Sequence, residues 1–234
     1  MKKSVLPVTV AALLLLLTVA APTASADVTT ILLTNSNVAP TVAAPAYYVK
    51  VTVDRTDTTH ATITFTTVGS ASPGLLMINQ AMYLNVNGPF EVTATSGFVA
   101  LNNCGSDTPV GNACVDYGSQ NVSQFGTYNV TLRTRGGTGD GVTTVSATLL
   151  KTSGTWASAS AVLAGNSVFG SAASHVSFAN GDCTGFASNG GPSSSTPAGP
   201  CGTTTVPEPN SLVLLATGMA GLLVAARRRL GLNG

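Results

Sequence analysis

Four cysteines and two histidines are the residues of this 234-residue chain best suited to covalent or metal chemistry. The cysteines fall as two local pairs, Cys104 with Cys114 and Cys183 with Cys201. Four cysteines admit three connectivities. Proximity favours the local pairing, which closes loops of about 10 and 18 residues, each worth roughly 2–4 kcal/mol by chain entropy. Both loops are rich in Gly, Asn, Ser and Pro, so two disulfides would order segments that lack a core of their own. Zinc binding is the competing reading, but the spacing does not suit it and an oxidising compartment argues against it.

His60 follows a turn that carries Asp54 and Asp57, and these three could be drawn as a metal site. Such groups meet in hairpin turns through turn chemistry far more often than through ligation, so no metal is expected. His175 is expected to begin the last strand. Ser/His/Asp catalysis would need a nucleophile elbow of the G-x-S-x-G type, and the chain has none. Glu91 is the sole glutamate between residues 27 and 205, so no glycosidase-like carboxylate pair stands out. No D-x-D-x-D-G calcium loop occurs. The glycine-rich Gly136–Gly141 stretch lacks the strand–GxxxxGK–helix setting of a phosphate cradle and reads as a hairpin turn. Neither an enzyme nor a cofactor is expected.

Two binding chemistries could use the strand faces. Thr62, Thr64 and Thr66 would suit ice only as part of a flat repeating ladder, and the chain has no internal repeat. Tyr47, Tyr48, Tyr83, Phe90, Tyr117 and Tyr128 could stack on sugars where exposed, but most are expected in the core or in strand pairs.

The two ends read as addresses. Residues 1–26 carry Lys2 and Lys3, an apolar run from Val8 to Ala21, and Ala24-Ser25-Ala26. That is the pattern of a signal peptide cut after Ala26 by signal peptidase, with Ala24 and Ala26 marking the site and the mature chain starting at Asp27. An uncleaved anchor helix is the alternative. At the other end come Pro207-Glu208-Pro209, then sixteen uncharged residues from Ser211 to Ala226, then Arg227-Arg228-Arg229. As a helix the apolar run would be about 24 Å long, short for a hydrocarbon core of about 30 Å but workable if the bilayer thins. Gly218 and Gly221 are tolerated in such a helix, and the arginines would stay cytoplasmic as the stop. A buried C-terminal helix would rarely be apolar all round and then end in three arginines.

This tail resembles the PEP-CTERM sorting signal of exported bacterial proteins, through Pro207-Glu208-Pro209, the apolar span Leu212 to Ala226 and Arg227 to Arg229. The resemblance implies recognition and cleavage near the Pro-Glu-Pro motif by an exosortase. It also implies an envelope or extracellular destination, often alongside exopolysaccharide production. Leu230 to Gly234, beyond the arginines, departs from the pattern and is expected to be a harmless cytoplasmic end.

Between the addresses lie eight acidic and five basic residues, a net charge of −3, because half of the chain's ten bases sit in the terminal segments. No basic face for nucleic acid follows from that balance. Strict alternation marks the strands: Val49, Val51 and Val53; Ala61, Ile63 and Phe65; Met82, Leu84 and Val86; Phe90, Val92 and Ala94; Tyr128, Val130 and Leu132; Val145, Ala147 and Leu149. Asp54 to Asp57, Asn87-Gly88-Pro89 and Arg135 to Gly141 are expected to link strand pairs. Trp156 to Leu163 would be a short helix, and Asn102 to Gln124 a long disulfide-pinned loop.

The expected protein is therefore all-β: a signal peptide (1–26), an antiparallel jelly-roll-like β-sandwich of seven to nine strands (27–184), a flexible linker (185–205) and a sorting tail (206–234) with a membrane helix at about 211–226. The functional expectation is a non-enzymatic surface or matrix protein, structural or adhesive, linked to exopolysaccharide or biofilm and transiently anchored in the inner membrane. A surface-presented carbohydrate-binding module is the alternative.

Overall fold

A computed structural model of the chain describes residues 26–37, 47–68, 76–136, 140–178 and 183–191. All of them belong to the first of two compact units, Met1–Cys201 and Gly202–Gly234. The expected signal helix, most of the expected linker, Cys201, and the sorting tail with its helix and arginines lie outside the described residues.

Alternation translates directly into a one-sided sheet. The strands β1 (Asp27–Leu33), β3 (Val49–Arg55), β4 (His60–Thr67), β7 (Phe90–Ser96) and β13 (Thr144–Lys151) pair antiparallel in the order β1-β3-β4-β13-β7. On β3, β4 and β13 the residues Val49, Val51, Val53, Ala61, Ile63, Phe65, Val145, Ala147 and Leu149 are all fully buried. Their neighbours Lys50, Thr52, Thr62, Thr64, Thr66, Ser146 and Thr148 face the other way. Period-two side-chain geometry leaves no other outcome once one face is covered. Each fully buried Val, Leu or Phe contributes roughly 1.5–3 kcal/mol.

The cover is a second antiparallel sheet. Its strands are β2 (Asn35–Ser36), β5 (Leu76–Met77), β6 (Met82–Leu84), β8 (Thr108–Val110), β9 (Ala113–Asp116), β12 (Val130–Arg133), β14 (Ala172–Phe178) and β15 (Cys183–Ser188). They run in the order β2-β15-β14-β6-β12-β9-β8, with β5 on β14. Met82, Leu84, Val115, Val130, Leu132, Ala172 and Val176 share one core with the inward residues of the first sheet. A separate hairpin of β10 (Gln120–Val122) and β11 (Gly126–Tyr128) belongs with a second cluster, in which Val122, Phe125 and Tyr128 pack with Tyr83 and Ala173. Among the described residues the fold is all-β and antiparallel with almost no helix; a 3-10 turn stands at Ala159–Ala161.

Several expectations change. Strands are more numerous and shorter, fifteen among the described residues. Alternation places Ala94 inward, but it is exposed. The register of β13 with β7 slips between Thr148 and Leu149, so that Thr148 opposes Ala94 while Leu149 opposes Val92. That bulge inserts Thr93 and inverts the side-chain parity beyond it. Tyr83 and Thr131 alternate with the inward residues of β6 and β12 yet are buried too, because the second sheet is covered on both faces near its middle. Tyr128 and Val130 do not share a face. The strand breaks at Asn129, whose amide accepts from Val86 N and donates to Val86 O, and Tyr128 joins the second cluster while Val130 joins the main core.

Asp54 to Asp57 does join the β3–β4 hairpin. Asn87-Gly88-Pro89 and Arg135 to Gly141 instead carry the chain from one sheet to the other, from β6 to β7 and from β12 to β13. Asn102 to Gln124 is not a loop: it contains β8, β9 and β10, and β9 pairs with β12. His175 lies in the middle of β14, and a further strand, β15, follows it and runs past residue 184. In place of a helix from Trp156 to Leu163 there is only the 3-10 turn, with Trp156 buried and its Nε1 donating to Asn87 O at 2.9 Å.

Candidate functional site

The polar groups singled out from the sequence do not converge. Asp57 and His60 meet, but as a turn. Asp57 Oδ1 accepts from Thr59 N at 2.7 Å, His60 N at 2.8 Å and Thr59 Oγ1 at 2.9 Å, and Oδ2 lies 2.9 Å from His60 Nδ1. The Thr59 amide, then the other donors of the turn, hold the Asp57 carboxyl well below the usual carboxylate range. Both oxygens are thus committed to starting β4. Asp54 sits on β3 opposite Thr62. Among the described residues, no group of three or more His, Cys, Asp or Glu is placed to hold a metal ion.

His175 belongs to the other sheet, stacked on Phe186 with ring centroids 4.6 Å apart. Its Nδ1 is buried without a hydrogen-bond partner, and burial pushes its pKa below the ordinary 6.5. Tyr83 packs edge-on to Phe186 at 5.8 Å. Burial pushes the Tyr83 and Tyr128 phenols up, and Tyr128 Oη lies 2.9 Å from Ser188 Oγ. Tyr48 is also buried. Phe90 pairs with Tyr117 at 5.9 Å, and Tyr117 Oη accepts from the Val92 amide at the edge of β7. Of these six aromatics only Tyr117 is among the large exposed apolar residues; among the described residues Val28, Leu32 and Phe169 are the others. Phe169 is 86% exposed and held at a φ of 64°. Composition gave no signal for it.

Cys104 and Cys114 form a disulfide, with Cα atoms 5.3 Å apart. It ties the segment before β8 to β9, while Arg133 pairs with the nearly buried carboxylate of Asp107. The partner expected for Cys183 lies outside the described residues. At the amino end, Ala26 is exposed and Asp27 opens β1. Arg55 Nε donates to Asp27 Oδ1 at 2.6 Å, and the Ala159 amide donates to Oδ2 at 2.7 Å. The first residue after the expected cleavage site is therefore already part of the fold.

One extended arrangement spans the whole five-stranded sheet. On the outer face of the five-stranded sheet, Thr30, Thr52, Thr64, Ser146 and Ser96 stand opposite one another as a single rung across all five strands. The adjacent rungs are Val28, Asp54, Thr62, Thr148 and Ala94, and Leu32, Lys50, Thr66 and Thr144. The Thr62 and Thr148 hydroxyls are 3.3 Å apart. Rungs of this kind depend on the register between neighbouring strands whose facing residues are up to 86 positions apart, so a single strand's Thr-x-Thr-x-Thr pattern could only hint at them.

Among the described residues no helix is long and apolar enough to cross a membrane. Residues 205–229 match the PEP-CTERM protein-sorting motif. Neither the curated proteins nor the solved structures offer a match to the chain. The motif implies an exported protein, processed by an exosortase and directed to the cell surface.

Proposed function

We propose that the chain is a non-enzymatic component of the cell surface or extracellular matrix, with a structural or adhesive role linked to exopolysaccharide and biofilm. The observation that carries this reading is the sorting motif at residues 205–229. On this reading signal peptidase cuts after Ala26, and the helix of about 211–226 holds the exported chain briefly in the inner membrane. Arg227 to Arg229 stop its transfer, and the exosortase cuts near Pro207-Glu208-Pro209. The exported body is a β-sandwich of jelly-roll-like class, supported by two sheets sharing one core. A non-enzymatic role is supported by the occupation of the two histidines: His60 is bound into its own turn and His175 is stacked on Phe186. A carbohydrate-binding module is the second reading, favoured by the hydroxyl rungs of the five-stranded sheet.

The test is intact-mass analysis of the protein recovered from the surface or matrix of its native host. The expected mass ends near residue 207 and starts at Asp27. Retention of Ser211 to Gly234 in the surface fraction overturns the processing route, and absence of the protein from surface and matrix overturns the role.

A further inference from the structure

We propose that the outer face of the five-stranded sheet is a contact surface for an uncharged polysaccharide chain, an assignment that rests on the matrix reading above and names where the contact is made. The centre of this face is the three-by-three block on β3, β4 and β13: Lys50, Thr66 and Thr144; Thr52, Thr64 and Ser146; Asp54, Thr62 and Thr148. Seven of these nine positions carry a hydroxyl. Neighbouring strands lie about 4.8 Å apart and same-face positions along a strand about 6.7 Å apart, and the Thr62 and Thr148 hydroxyls come within 3.3 Å of each other. Among the described residues, the hydroxyls of Thr30, Thr52, Thr64, Thr66, Thr144 and Ser146 make no hydrogen bond within the protein, leaving both donor and acceptor capacity open to a ligand.

Side-chain chemistry separates this face from an ordinary solvated one. A water-facing surface ordinarily carries many interspersed Lys, Arg, Glu and Asp side chains, and the long ones lose much rotamer freedom when immobilised on binding. Thr and Ser lose far less, and β-branched Thr is already stiff at χ1. The array is therefore preorganised for hydrogen bonding at low entropic cost.

Charge and shape select the ligand. The formal charges of the block, Lys50 and Asp54, cancel, so neither a polyanion nor a polycation is favoured. On the edge strand the outer rungs end on exposed Val28 and Leu32, which offer apolar contact to the C–H faces of sugar rings. Open sheets twist by roughly 20–25° per strand, which turns the outer strands of five by about 80–100° relative to each other. A rigid flat lattice such as ice cannot meet all rungs of such a surface, whereas a flexible chain laid along a rung can.

The experiment uses the full chain in detergent and its variants Thr52→Val/Thr64→Val/Ser146→Ala and Thr64→Lys, with Thr127→Lys on β11 as control. Retardation in native gels containing dextran, amylose or a mixed-linkage β-glucan is measured beside melting temperature. The expected result is retardation of wild type and control by at least one of these polymers, and at least a tenfold loss of affinity in the triple variant with its melting temperature kept within a few degrees. Thr64→Lys keeps the test valid if the triple variant unfolds. No retardation of wild type, undiminished binding by the face variants, or thermal hysteresis lost in those variants overturns the proposal. Matrix fractionation separates the two levels: wild type absent from the matrix sinks the underlying reading, whereas face variants retained there like wild type sink only the surface assignment.

Discussion

Arg55 and Asp27 join the start of β1 to the end of β3, with Nε 2.6 Å from Oδ1 and only 6% of the Arg55 side chain exposed. Arg55 occupies an inward position of β3, so its charge depends on a partner. The Ala159 amide, more than the guanidinium, holds the Asp27 carboxyl below its ordinary 3.8. A depressed carboxylate contributes stability above the ordinary pKa and loses it as pH falls through the lower folded value. Asp27→Asn should therefore lower the melting temperature at pH 7, and the deficit should shrink towards pH 2. An equal deficit at both pH values would show that the ionised pair is not what the mutation removes.

His175 carries the opposite kind of charge with the same direction of effect. Its folded pKa is below 6.5 because the neutral ring is buried, so the unfolded state takes up the proton first and stability falls as pH drops below 6.5. Denaturant midpoints between pH 7.5 and 5 should decline in the wild type. In His175→Phe, which preserves stacking on Phe186, that part of the decline should vanish. A parallel decline in both would assign it to other groups.

The disulfide should stabilise the fold independently of any ligand. Replacing Cys104 and Cys114 together by Ser should cost about 2–4 kcal/mol, read as a lower urea midpoint. Reductant should bring the wild type towards the variant, and any shift of the variant itself under reductant reports the expected Cys183–Cys201 bridge. No difference between them under oxidising conditions would mean that β8 and β9 hold their register without the bridge.

Thr131 is 1% exposed, and its hydroxyl has no hydrogen-bond partner. A buried hydroxyl without a partner costs roughly 1–3 kcal/mol. Thr131→Val, nearly equal in shape, should raise stability by up to about that amount in chemical denaturation. A clear loss of stability would point to an ordered water bonded to the hydroxyl.

The readings that held came from short-range physics. Alternation at Val49 to Val53, Ala61 to Phe65 and Val145 to Leu149 announces one covered face, and the Asp54 to Asp57 turn announces a hairpin, because both depend on residues close in sequence. Cys104 and Cys114 are near enough for loop entropy to favour their bridge. The tail needs no fold at all: Pro207-Glu208-Pro209, an apolar run and three arginines are legible because a sorting signal is read as a linear segment.

Long-range placement decided the rest. Asn87 to Pro89 and Arg135 to Gly141 look like hairpin turns, yet they cross between sheets, since a turn's chemistry does not specify which sheet the next strand joins. The parity of Ala94 depends on a bulge in its own strand, at Thr93, which only the pairing with β13 reveals, and the burial of Tyr83 and Thr131 on a second cover over their sheet. By itself the sequence determined the strands' alternation and the sorting address at the carboxyl end. Only the tertiary structure aligned Thr30, Thr52, Thr64, Ser146 and Ser96 into one rung, because register is set by hydrogen bonding between strands distant in the chain and by burial of the core beneath them.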